Sequence, residues 1–315
     1  MRGGTLQIDV SGGPVAAPAL TTPAAGATNV ATGTSFTWSP GANAIDYLVE
    51  IATDAAFSNI VVSSVTRQTT FTPTQPLNSA TPYFWRVTAR NACPPVEVMF
   101  ASGFELSGAG GTATASGSFT TQPAPGDCPT GGTVTDVLSE GFEGAATGWV
   151  QQAGGTGANT WAIGTTFPFA GLRALRGIPA ATVSDQRFVS PTVTLPSVGN
   201  GLTLSFMSRQ EMERRTAGGC WDGGFIEVST NGGTTWTQIT SGLLTDPYDG
   251  ALASPNPAAP APAWCGDPQA YLKSVIDLAP YAGQTVQFRF RATSDDTVNR
   301  PGGWAIDDVL IRRCN

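Results

Sequence analysis

Short stretches of apolar–polar alternation, each closed by turn-forming residues, recur along most of this chain and restrict what it can fold into. Tyr47, Val49 and Ile51 alternate with Leu48 and Glu50; Tyr83, Trp85, Val87 and Ala89 alternate with Phe84, Arg86, Thr88 and Arg90. Further on, Leu202, Leu204 and Phe206 alternate with Thr203 and Ser205, and Val286, Phe288, Phe290 and Ala292 with Gln287, Arg289 and Arg291. Neighbouring side chains point to opposite faces of a strand, so a period of two specifies strands rather than helices. Asn231-Gly232-Gly233, set between two such stretches, is a hairpin turn. Tyr271–Leu278 has the length of a helix, but its adjacent Val275 and Ile276 favour a strand. The chain is therefore expected to be all-β.

Its 315 residues have room for two domains. Only 12% are charged, while Gly (38) and Pro (24) are abundant, as short strands joined by many turns require. The net charge of −7 argues against nucleic acid and anionic membranes as partners, because both demand a basic patch. No apolar run approaches the roughly 18 residues of a membrane span. The chain has no histidine. That removes Ser-His-Asp and Cys-His catalysis and the helical two-histidine zinc sites. Five cysteines stand at 93, 128, 220, 265 and 314, none in a CxxC pair, which points to disulfides and an extracellular setting. Residues 1–13 contain no signal-peptide core and look like the last strand of a preceding domain. A longer secreted precursor is therefore expected.

Residues 14–26 are rich in Pro, Ala and Thr, and the first domain is assigned to 14–123. Trp38, Tyr47–Ile51 and the run Leu77-Asn78-Ser79-Ala80-Thr81-Pro82-Tyr83 resemble a fibronectin type III domain. The resemblance implies a β-sandwich with a tyrosine corner, its hydroxyl tied back to backbone. Cys93 to Glu105 departs from the pattern and predicts a lengthened hairpin loop. Residues 124–133 read as a linker, and 134–315 as a larger jelly-roll β-sandwich. There, Leu138–Glu143 with Gly148-Trp149, Phe188–Pro191, Asp222–Trp236 and Gly303–Ile311 resemble, in order, MAM-type domains and the accessory domain of immune-inhibitor-A-like secreted metallopeptidases.

Gly302–Ile311 carries Asp307 and Asp308 between apolar neighbours. Strict alternation would put Trp304, Ile306, Asp308 and Leu310 on one face and Ala305, Asp307, Val309 and Ile311 on the other. Both faces read as buried, so both carboxylates need a partner. Glu140 and Glu143 open the same domain, and the resemblance implies a structural cation where first and last strands meet. Calcium is the expected cofactor, with Glu140, Glu143, Asp185, Asp307 and Asp308 as candidate ligands. Backbone amides or arginines such as Arg173 and Arg209 are the plainer alternative.

Cys220 and Cys265 are expected to be bonded, bringing Trp221 and Trp264 together as a possible platform for a sugar or peptide. The plainer reading is that the two indoles merely cover the disulfide. Cys93 and Cys128 flank one strand and are expected to pair, leaving Cys314 unpaired or bonded to another chain or to a segment outside this sequence; a Cys128–Cys314 bond that leaves Cys93 free is the alternative. Glu211 and Glu213, or Asp295 and Asp296, are carboxylate pairs that could serve glycosidic chemistry, but a solvated charged loop is the better explanation of them. The function expected is a non-catalytic accessory region of a secreted bacterial hydrolase, most naturally a peptidase, that binds a polysaccharide or protein surface. A structural or adhesive protein is the competing reading, and a glycan-active enzyme a third.

Overall fold

A computed structural model of the chain describes residues 14–91, 111–129, 131–180, 182–197, 201–297 and 300–314. The remnant expected at 1–13, the long loop expected at 93–105 and Cys93 lie outside them. The chain is all-β and divides into two compact units, Met1–Ala124 and Pro125–Asn315. Among the described residues a single 3-10 turn, Ala279–Tyr281, is the helical content, and no helix is long and apolar enough to cross a membrane.

The first unit pairs a five-stranded and a three-stranded sheet. Alternation along Pro82–Arg90 sends Tyr83, Trp85, Val87 and Ala89 inward, where Phe36, Trp38, Tyr47, Val49, Ile51 and Phe119 meet them. Phe36 packs edge-on to Trp85 with ring centroids 5.0 Å apart. Tyr83 is buried, and its hydroxyl accepts the backbone N–H of Asn78 at 3.1 Å. On the outer face Glu50 meets Arg86 at 2.7 Å and Asp46 meets Arg90 at 2.6 Å.

The second unit is a β-sandwich of a six-stranded and a seven-stranded sheet, antiparallel throughout its named strands. Phe188, Ile226, Val228, Phe288 and Phe290 from the first sheet face Leu175, Leu204, Phe206, Ile276, Trp304 and Ile306 from the second. Aromatic rings fill the centre: Phe290 lies 5.2 Å from Phe206 and 5.7 Å from Trp304, and Trp161 lies 5.7 Å from Trp304. Gly224 makes room for this stack, since a β-carbon there would stand 2.4 Å from the Trp304 ring. Leu272–Asp277 is a strand, paired with Leu202–Glu211. The Pro/Ala-rich segment 258–263 packs Ala258, Ala259 and Ala261 against the core and buries Ala263.

The bonded cysteines are Cys220–Cys265 and Cys128–Cys314. Cys128 therefore does not pair with Cys93. The segment that reads as a linker is tied to the second unit. Gly126 abuts Val275, Asp127 meets Lys273 at 2.8 Å, and Cys128 reaches the end of the last strand. Tertiary contacts, rather than closeness in sequence to Cys93, select its partner.

Candidate functional site

The last strand, Gly303–Cys314, is the hub of the seven-stranded sheet. One edge pairs with Leu202–Glu211 along almost its whole length. The other pairs first with Ala174–Gly177, opposite 304–306, and then with Val134–Glu140, opposite 309–314. Asp307 and Asp308 sit at the handover. The register with Leu202–Glu211 slips there, since Ser205 faces Leu310 while Met207 faces Asp307. Asp308 takes a left-handed φ of 48°. This is a β-bulge, and it breaks the alternation expected from sequence. Trp304 and Ile306 face the core before it, and Val309 and Ile311 after it, while Asp308 is exposed. One carboxylate is buried, not two.

Asp307 is fully buried and held by amides. Its Oδ2 accepts the N–H of Phe169 at 2.9 Å and of Ala170 at 3.2 Å, and its Oδ1 accepts the N–H of Asp308 at 2.8 Å. Glu143 accepts from Leu172 and Arg173 at 2.9 and 3.0 Å, and Glu140 caps the N–H of Phe142 at 2.6 Å. Asp307 thus pins the loop 167–173 to the sheet and Glu143 pins it to the turn after the first strand, leaving Phe169 and Leu172 exposed. Phe167 of the same loop lies under Arg209, 4.1 Å away, and Tyr271 donates to its carbonyl. Burial, then the negative charges of Asp307 and Glu143, push the Asp308 carboxyl up. No arginine offsets it among the described residues; neither Arg173 nor Arg209 forms an ion pair there. The donors are all oxygens, which suits a hard cation. No group of three carboxylates or thiolates among the described residues is set at ready-made metal spacing.

Asp185 does not join this corner. It lies on Ser184–Val189 of the six-stranded sheet, between two arginines on the sheet's outer face. Arg187 reaches it at 2.5 Å, and Arg291 grips it through two bonds of 2.8 and 2.9 Å. Arg291 also meets Glu227 at 3.1 Å, and Glu227 takes Arg289 at 2.5 and 2.6 Å. Arg289 then donates to Gln152 at 2.6 Å and lies 4.4 Å from the ring of half-buried Trp236. Burial alone would raise the Asp185 carboxyl, but hydrogen bonds from Arg187 and Arg291 outweigh it and hold it below the usual range. The side chains of Arg187 and Arg291 remain 20% and 18% exposed, so this ladder has a solvent-facing rim. Sequence reasoning missed it. The signal available was the spacing Asp185-x-Arg187 and Arg289-x-Arg291, charges two apart inside otherwise core-like strands.

The two-indole platform does not form. Trp264 is fully buried, its Nε1 donates to the carbonyl of Asp246 at 2.8 Å, and Tyr248, Trp304 and Phe206 surround it. A large ring with its one polar atom satisfied gains most by burial. Trp221 is half-buried with Arg215 stacked on it at 4.8 Å. Glu211 ends its strand opposite Gly303 and crowds Gly302, whereas Glu213 turns toward Thr297.

No protein-family model matches the chain. Bacillopeptidase F of Bacillus subtilis (strain 168) is 28% identical over 185 residues, which is 56% of this chain but 11% of that protein. The chain thus spans about a tenth of the length of the curated relative it matches. Among solved structures, a carbohydrate-binding module of the β-sandwich superfamily is 13% identical, with 95% of this chain and 98% of that one covered, at a TM-score of 0.34. A module in complex with β-1,4-galactotriose gives 13%, 57%, 99% and 0.35. The K1 cleaved adhesin domain of Lys-gingipain from Porphyromonas gingivalis W83 gives 18%, 58%, 99% and 0.31.

Proposed function

We propose that this chain is a non-catalytic binding region of an extracellular protein, a fibronectin type III-like unit followed by a calcium-stabilised jelly roll. Its ligand is a polysaccharide or a glycan-bearing surface, gripped by the outer face of the six-stranded sheet. The observation that carries this reading is the Arg187–Asp185–Arg291–Glu227–Arg289 ladder beside Trp236. A sugar offers paired hydroxyls and an apolar ring face. Bidentate side chains locked by their neighbours bind such groups with little ordering cost. Two disulfides and the partial likeness to Bacillopeptidase F support an extracellular setting and a peptidase as parent. Calcium would be held by Asp308, Glu143 and Glu140 beside Asp307, tying the first strand of the unit to its last.

The test is a glycan array followed by affinity electrophoresis in soluble polysaccharides. Retardation should weaken at least tenfold in Trp236→Ala and in Arg187→Ala, which leaves Asp185 paired with Arg291. Failure of every polysaccharide to retard the wild type would overturn the glycan reading. No hydrolysis of casein, peptides or polysaccharides is expected. Turnover abolished by Glu211→Gln or Glu213→Gln would instead make the chain a glycan-active enzyme.

A further inference from the structure

A second acidic locus lies away from the corner at Asp307, at one end of the six-stranded sheet. Asp222 immediately precedes the strand Gly223–Ser229, and Asp295 immediately follows Thr285–Ser294. These strands pair, with Gly223 opposite Thr293, so the two aspartates are brought side by side. Both are buried, Asp222 at 0% exposure and Asp295 at 2%. The N–H of Asp295 donates to Asp222 Oδ1 at 3.0 Å. Glu213 arrives from a third segment, its backbone carbonyl accepting the N–H groups of Trp221 and Asp222 at 3.0 and 3.2 Å. Thr297 joins the other two carboxylates: its hydroxyl lies 2.9 Å from Asp295 Oδ1 and 3.3 Å from Glu213 Oε2.

Three carboxylates converge here with no ion pair to any of them among the described residues, although as they stand they are not at metal-holding spacing and Glu213 has to swing in to complete the set. Asp222 Oδ2 is buried and, among the described residues, has no hydrogen-bond partner. A buried carboxylate oxygen left unpaired is costly enough that native proteins pair it, protonate it or give it a metal. Burial is the main influence raising the Asp222 carboxyl, to about 7, and the charges of Asp295 and Glu213 add to it.

We propose that Asp222, Asp295 and Glu213 form a cation site that takes Ca²⁺ or a similar hard divalent ion. The donors are oxygens only. The chain has no histidine, and the nearby Cys220 and Cys265 are locked in their disulfide, so soft and borderline metals have no ligands here. The unpartnered Oδ2 supplies the first ligand, Asp295 the second, and Glu213 the third after releasing its single 3.3 Å bond from Thr297. Water and backbone carbonyls complete the six to eight oxygens that Ca²⁺ takes. An ion here would join three segments around the Cys220–Cys265 loop and neutralise charge that no arginine pairs with among the described residues.

The experiment titrates the full chain, stripped with chelator, with Ca²⁺ in a calorimeter and with Tb³⁺ read by tryptophan-sensitised emission, since Trp221 is next to Asp222 in sequence. Asp222→Asn is isosteric and keeps an acceptor for the Asp295 N–H; Glu213→Gln is the second variant, and near-UV circular dichroism checks the fold. The expected result is a stoichiometry lower by one in Asp222→Asn, at least a tenfold weaker affinity in Glu213→Gln, and loss of the sensitised emission. Asp308→Asn must leave this equivalent in place, so failure of the corner cation and failure of this site are read separately. Unchanged stoichiometry and emission in a folded Asp222→Asn protein would refute the site, with the buried oxygen then satisfied by a proton.

Discussion

Removing the Cys128–Cys314 bond, by replacing both residues with serine, should cost the second unit far more than its position near the chain end suggests. The bond closes a loop with a sequence separation of 186, and the Cys220–Cys265 bond, of separation 45, is nested inside it and shortens the free path to about 140 residues. In the chain-entropy model such a loop is worth about 5 kcal/mol, against about 4 kcal/mol for the inner bond. For a unit of this size each kcal/mol shifts Tm by roughly 2–4 °C, so a fall of about 10–20 °C is expected. Scanning calorimetry under non-reducing conditions measures it, and non-reducing peptide mapping identifies the partners. The transition that moves should be that of the second unit, because Cys314 pairs in register with Val134 while Asp127 is held to Lys273. A map joining Cys128 to Cys93, or a double variant whose second-unit transition does not move, would refute the reasoning.

Gly224→Ala should destabilise the second unit by about 1–3 kcal/mol or more in urea unfolding, because its β-carbon would stand 2.4 Å from the Trp304 ring in a filled core. Arg289→Met should cost about 3 kcal/mol by the same assay, the low end for a broken buried pair, since Glu227 keeps Arg291. Asp222 makes stability depend on pH when divalent ions are chelated. Its native value of about 7 lies above the ordinary 3.8, so the folded chain holds this proton more tightly than the unfolded one. Its favourable contribution is complete below about pH 4 and is lost as pH rises toward 7, up to about 4 kcal/mol in all. Urea midpoints for wild type and Asp222→Asn should therefore diverge between pH 4.5 and 7.5, the variant being the more stable at the higher pH. Parallel profiles would exclude the effect.

Local pattern determines much of this protein. Period-two alternation is a property of a few adjacent residues, so the strands at 47–51, 83–89, 202–206 and 286–292, the hairpin at 231–233 and the all-β class are legible before any fold is known. The absence of histidine and the count of five cysteines are likewise facts of composition, and they suggest disulfides without fixing which cysteines pair. Tertiary structure decided the rest, because each remaining feature depends on residues far apart in the chain. The bulge at Asp307–Asp308 exists because the last strand changes partners there, from Ala174–Gly177 to Val134–Glu140, and it turns the second half of the strand over. Asp185 belongs to an arginine ladder because Thr285–Ser294 happens to be its neighbour strand. Trp264 left the surface because the core had space for its ring and Asp246 a carbonyl for its N–H. Cys128 chose Cys314 over Cys93 because sheet pairing, not distance along the chain, brings the two ends of the unit together.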